Sequence, residues 1–222
     1  MLAALALGLL PAAALAQSNS FQLRVTQGTD VFLVPNGSTL TLAPSAVGQI
    51  SSATVTALYV GTTSALISTQ PVILGSTTFT VSNLSATLPL TMLPGDSFSF
   101  TVQFKPTSSA TALAQLNLPF VEAPSGNTTG VSTGTAGLIQ LNLTGTAPNL
   151  IVSYFLQSNG NVLPLTNGSS LVFPATLVKS TTAVTVIIAN QGSGAGVVNS
   201  ITVSGSAFQP LGLPLPPFDS TI

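Results

Sequence analysis

Between Leu93 and Pro106 the chain reads LPGDSFSFTVQFKP. Phe98, Phe100, Val102 and Phe104 alternate with Ser99, Thr101 and Gln103. Side chains of a β-strand point to opposite faces in turn, so this run predicts a strand with one buried and one wetted face. Pro94-Gly95 predicts a turn before it, and Pro106 closes it. A slip of one residue would expose three aromatics at once, which pins the register. All four apolar side chains are expected in a core, with Thr101 on the opposite face and Lys105 outside.

The same period recurs along the chain. Leu40 and Leu42 alternate with Thr39 and Thr41; Val55, Ala57 and Tyr59 with Thr54 and Thr56; Ile139, Leu141 and Leu143 with Gln140, Asn142 and Thr144. Clusters rich in Gly, Pro, Asn and Ser separate the runs, as at Pro35-Asn36-Gly37-Ser38 and Ala123-Pro124-Ser125-Gly126-Asn127. After residue 17 no stretch carries a sustained helical period with caps. Many short strands with regular turn signals predict an all-β sandwich or barrel.

The chain also repeats itself. Asn36-Gly37-Ser38-Thr39-Leu40 returns as Asn167-Gly168-Ser169-Ser170-Leu171, and Pro44 as Pro174. Ser51–Val60 lies over Ser180–Ala189, and Val72, Leu74 and Phe79 lie over Ile201, Val203 and Phe208. The offset drifts from 131 to 129 residues. A period this long means tandem domains, because solenoid repeats run to about 20–50 residues. The expected division is a first sandwich over 17–148 and a second over 149–222. Repeat one continues past Phe79 into the Leu93–Pro106 strand, then Ala112–Val121 and Gly137–Thr146; repeat two has no counterpart of these before Ile222, so the second sandwich is expected to be incomplete.

The apolar run Leu2–Ala16 is short for a membrane helix, which needs about 20 residues. Ala14-Leu15-Ala16 before Gln17 fits the small-x-small pattern of a signal-peptide cleavage site. Residues 1–16 are therefore expected to be a secretory signal peptide, the alternative being a retained anchor or a core segment. No Lys or Arg precedes the apolar run. The expected location is outside the cell or on its surface, with no membrane span after cleavage.

The order of these segments carries a resemblance. It runs from Asn-Gly-Ser to Val184–Gly192 and Ile201–Phe208, and in repeat one on to the Leu93–Pro106 strand and Ile139–Ala147, ending Leu-Thr-Gly-Thr-Ala. This resembles the Hydin-type, or ASH, immunoglobulin-like domains, whose bacterial members are often called choice-of-anchor D proteins. The resemblance covers residues 30–148 and, as a partial copy, 149–222. It implies a seven- to eight-stranded sandwich related to the major sperm protein fold, with no catalytic residues. One departure stands out: the Asn-x-Gly turn is present at Asn190-Gln191-Gly192, whereas repeat one has Gly61-Thr62-Thr63.

Composition excludes much chemistry. The sequence holds no His and no Cys, so Ser-His-Asp, Cys-His and ordinary zinc sites are excluded. Its only acids are Asp30, Asp96, Glu122 and Asp219. A glycosidase needs two carboxylates about 5–10 Å apart, and calcium needs clustered acidic oxygens. Isolated acids fit neither, and turn chemistry accounts for Asp96. Charged residues are 3% and the net charge is −1, so nucleic acid has nothing to bind. Trp is absent, which leaves Tyr59 and Tyr154 as sugar platforms; Tyr59 is expected in the core, and Tyr154-Phe155 between domains. Asn36, Asn83, Asn127, Asn142 and Asn167 sit in glycosylation-acceptor patterns that arise by chance in a Ser/Thr-rich chain. The expectation is a non-catalytic exported protein of tandem modules, without cofactor or metal, acting as a spacer or adhesion module; its partner is open and self-association through the second domain is possible. The competing expectations are a ligand- or glycan-binding module, or accessory domains of an enzyme whose catalytic part lies beyond residue 222.

Overall fold

The structure is a computed structural model, and it describes residues 20–124, 134–156, 162–212 and 218–220. The expected signal peptide over 1–16, and Asn127, lie outside the described residues. Every element among the described residues is a strand or a turn, and no helix is long and apolar enough to cross a membrane.

Among the described residues eleven strands make the first unit. They are β1 (Phe21–Gln27), β2 (Asp30–Val34), β3 (Thr39–Thr41), β4 (Ser51–Tyr59), β5 (Ala65–Ile67), β6 (Val72–Gly75), β7 (Phe79–Ser82), β8 (Leu90–Met92), β9 (Ser97–Phe104), β10 (Ala112–Glu122) and β11 (Thr135–Gly145). One sheet runs β2-β1-β4-β9-β7; the other runs β3-β11-β10-β5-β8, with β6 also on β10. The sheets pack face to face as an immunoglobulin-like sandwich. Phe21 of β1 meets Phe120 of β10 edge to face at 4.8 Å between ring centroids, tying one layer to the other.

The alternation decides which faces meet. Phe98, Phe100, Val102 and Phe104 are buried, while Ser99, Thr101 and Gln103 are only partly covered. Lys105 lies outside. β9 is central, with β4 on one side (Val55↔Phe100, Ala57↔Phe98) and β7 on the other (Val81↔Val102). Leu40, Leu42, Val55, Tyr59, Ile139, Leu141 and Leu143 complete the same core. The two sequence motifs turn out to be one contact. The ring of Phe104 lies on the backbone of Gly145, where an added Cβ would stand 2.6 Å from the ring.

The second repeat folds in the same sense. β12 (Leu150–Leu156), β13 (Val162–Pro164) and β14 (Val184–Asn190) form a sheet in the order β13-β12-β14, as β2-β1-β4 does. In the first sheet Phe21 pairs with Tyr59. Carried across by the offsets of 131 and 129, that pair becomes Val152 and Ile188, which are paired. The turns agree as well. Ser38 and Ser169 each donate a side-chain bond of 2.6 Å back to residue i−3, at Pro35 and Thr166, and Gly37 and Gly168 both hold positive φ, 83° and 78°. β15 (Gly196–Val198) and β16 (Phe218–Ser220) pair as a separate ladder.

Ile201–Ser204, which lies over β6 in sequence, is not a strand. β6 is held by its ladder to β10, and no described strand stands beside residues 201–204. Tyr154 and Phe155 sit mid-strand in β12, opposite Val186 and Thr185.

Candidate functional site

The four acids are held by separate elements. Asp96 closes the turn before β9: its carboxylate accepts from the Leu93 amide at 2.7 Å, and its own amide donates to the Leu93 carbonyl at 2.9 Å. Asp30 is exposed at the start of β2, and Asp219 lies in β16. Among the described residues no three acidic, His or Cys groups come together to hold a metal. Two of the acceptor-pattern asparagines, Asn36 and Asn142, have structural partners. Asn36 donates to the Leu138 carbonyl at 2.9 Å and accepts from the Gln140 amide at 2.7 Å, which clamps the β2–β3 turn onto β11. Asn142 donates to the Gly37 carbonyl at 3.1 Å in the same corner.

Glu122, at the end of β10, accepts from the Tyr59 hydroxyl at 3.3 Å. An open cleft of about 320 Å³ lies there, lined by Ser20, Val60, Gly61, Thr62, Thr63 and Glu122. The Tyr59 phenol is pushed above its ordinary value by burial; a hydrogen bond with Thr63 pulls the other way, and the Glu122 charge and hydrogen bond add to the rise. A phenol held neutral is a poor base, and Glu122 is the one acid among the residues that line the cleft. The cleft also explains the missing Asn-x-Gly turn in repeat one. The Tyr59 ring folds across Gly61, where any Cβ would collide with the hydroxyl end of that ring. Ile188 takes the place of Tyr59 in repeat two, and the turn is free to carry Asn190.

That turn builds a densely hydrogen-bonded polar site. Asn190 accepts from the amides of Asn149 and Gly192, both at 3.0 Å, and donates to the Gly194 carbonyl at 2.8 Å. The loop so shaped hooks the end of β11. The Gln191 amide donates to Asn149 at 2.8 Å, the Gly194 amide to Ala147 at 3.0 Å and the Ser193 amide to Ser109 at 2.9 Å. The Ala147 amide donates to the Ser193 hydroxyl at 3.3 Å. Gly192 and Gly194 are buried against residues 146–149. The sequence displayed the Asn-x-Gly turn, but nothing in it marked Ser109 or Ala147 as the receiving surface.

No protein-family model matches the chain. No curated protein matches it. Solved structures do resemble it at low identity. The VesB protease of Vibrio cholerae matches at 15% identity over 50% of this chain and 31% of that one, with a TM-score of 0.38. The ASH / PapD-like domain 7 of human CEP192 matches at 14% over 65% of this chain and 96% of that one, with a TM-score of 0.33. SSP-19, an MSP-domain protein like family member of Caenorhabditis elegans, matches at 16% over 49% of this chain and 100% of that one, also with a TM-score of 0.33. The chain spans about a third of the length of the VesB chain. At such scores the likeness carries no argument, and the sandwich is read from its own sheets.

Proposed function

We propose that this chain is an exported, non-catalytic protein of tandem immunoglobulin-like modules of the Hydin-type, or ASH, class, of the bacterial choice-of-anchor D kind. It acts as a spacer or adhesion module at the cell surface. The observation that carries the reading is the hooked junction. A spacer must pass orientation from one module to the next, and a flexible tether cannot. Here the link Ala147–Asn149 is gripped along its backbone by the Asn190–Gly194 loop, and Ser109 of the first sandwich is gripped with it. Sparse charge and a hydroxyl-rich surface suit a module that presents distance rather than chemistry.

The test uses the absence of native cysteine. Spin labels at Ser52→Cys in β4 and Thr185→Cys in β14, both exposed, report one distance across the junction. A single narrow distribution is the expected result. A broad one would mean a loose tether and would remove the spacer reading. Export is tested on the mature protein, whose first residue is expected to be Gln17; uncleaved Met1 protein held in the membrane would contradict it.

A further inference from the structure

We infer that the cleft beside Glu122 receives the α-ammonium that signal-peptide cleavage creates at Gln17, so that processing supplies the charge that completes this end of the first sandwich. The inference rests on the export reading, which puts the cut after Ala16, and adds what that cut does to the fold. Charge complementarity comes first. The lining is three hydroxyl side chains, Ser20, Thr62 and Thr63, with Val60, Gly61 and one carboxylate, Glu122. Among the described residues, the Tyr59 hydroxyl is what bonds that carboxylate, at Oε1 and 3.3 Å. Tyr59 and Glu122 are the titratable side chains that meet there. The whole sequence has three basic side chains, Arg24, Lys105 and Lys179, and no His. None of the three lines the cleft. Arg24 stands between the buried Leu23 and Val25 and so faces out of the sheet, whereas Tyr59 faces in. Lys105 follows β9, whose Phe104 pairs with Ser51 at the other end of β4 from Tyr59. Lys179 belongs to the second repeat. An amino terminus is the cation that this sequence can still bring to Glu122.

Reach and chemistry agree with it. The Val60 amide donates to the Ser20 carbonyl at 2.8 Å, which fixes the start of β1 at the rim of the cleft. Residues 17–19 lie outside the described residues. Gln17 stands three residues before Ser20, and three residues span at most about 11 Å. So short a tether gives a terminal amine a high effective concentration at the cleft. An ammonium offers three donors, and Glu122, Thr62 and Thr63 offer acceptor oxygens. In the uncut chain the Gln17 nitrogen is a neutral amide, and Leu2–Ala16 before it carries no charge. Cleavage therefore changes the one group that fits. The new pair would join β1 to β10 where Phe21 already packs on Tyr59 at 4.9 Å and on Phe120 at 4.8 Å between ring centroids.

A terminal glutamine carries its own reporter. Its neutral α-amine attacks its own side-chain carbonyl carbon; the N–Cδ bond forms, the Cδ–Nε2 bond breaks, and ammonia leaves with the proton given up by the amine. An amine held as ammonium does not attack. Chain 17–222, released from a cleavable fusion so that Gln17 is first, is followed by mass at pH 7, below the ordinary α-amine value of about 8. Ammonia loss is expected to be about tenfold slower than in Glu122→Gln, as one pKa unit of ion pairing gives. Asp30→Asn, at the far end of the β1–β2 hairpin, is expected to match the parent chain, and a peptide copying residues 17–24 to match Glu122→Gln. The rate–pH profile of the parent is expected to have its midpoint about one unit above that of the peptide, a reading that needs no variant. Amides of β4 and β9 report that each variant is folded. Equal rates and midpoints in parent and peptide overturn the pairing and leave the export reading standing. So does a folded Glu122→Gln that cyclises as slowly as the parent, or an Asp30→Asn that cyclises as fast as Glu122→Gln. An exported product whose intact mass begins at another residue overturns the proposal through the export reading, whatever the rates.

Discussion

Phe100 and Thr101 are neighbours on β9 with opposite surroundings. Phe100 is fully buried between the sheets, while Thr101 lies on the outer face, within 3.5 Å of the Asn83 side chain. Phe100→Ala should therefore cost about 3–5 kcal/mol in chemical denaturation, by lost transfer energy and the cavity left behind. Thr101→Ala should cost less than about 1 kcal/mol. Equal losses would mean that the strand faces the other way. Tyr59 offers a second test at this scale. Its folded pKa is raised, so its contribution is fully present below the ordinary value of 10 and is lost as pH rises through the folded value. Tyr59→Phe should cost about 1 kcal/mol at pH 7, from the lost bond to Glu122. It should also flatten the fall in stability above pH 10 relative to the parent chain. A parallel fall in both proteins would show that this phenol does not drive it.

At the scale of elements, the two Asn-Gly-Ser turns form an internal experiment. Both have the same backbone, but only Asn36 reaches across to β11 with both side-chain atoms. Asn36→Ala should cost about 2 kcal/mol, because it strands a backbone donor and an acceptor at once. Asn167→Ala should stay within about 0.5 kcal/mol, as an exposed substitution. Similar losses would show that the turn, not the clamp, is what the asparagine serves. The contrast marks how far the sequence could be read. Strands β4, β9 and β11 were legible because one buried face forces a period of two. The parallel pairing of the short β3 with β11 was not, since Thr39–Thr41 carries no mark of its partner's direction. Residues 201–204 lie over β6 in the repeat but are not a strand, because a repeat in sequence supplies a face and not a ladder. The Gly61 departure is the space that the Tyr59 ring needs. The junction was half legible, as a turn without its receiving surface.

At the scale of the molecule, the question is whether the two repeats move as one. The hook packs Gly192 directly on the link between them. An added Cβ there would run into the Ala147 carbonyl and the Asn149 amide, and would stand 2.7 Å from the Pro148 carbonyl carbon. These are backbone atoms of the link and cannot turn aside as a flexible side chain would. Gly192→Ala should therefore lift the loop and release the bonds from Gln191 to Asn149 and from Gly194 to Ala147 together. The amides of Gln191, Ser193 and Gly194 should then exchange about tenfold faster or more, as expected for a local opening rather than global unfolding. The spin-label distance across the junction should broaden in the same variant. Amides of β4 and β9, and the thermal midpoint of the first sandwich, should not move, because the main core cluster lies within residues 21–143 and the hook bonds Ser109, Ala147 and Asn149 outside it. If the first sandwich loses stability along with the hook, the two repeats share one cooperative unit. If the hook amides keep their protection, the loop is not what holds the repeats in line, and the spacer reading loses the observation on which it rests.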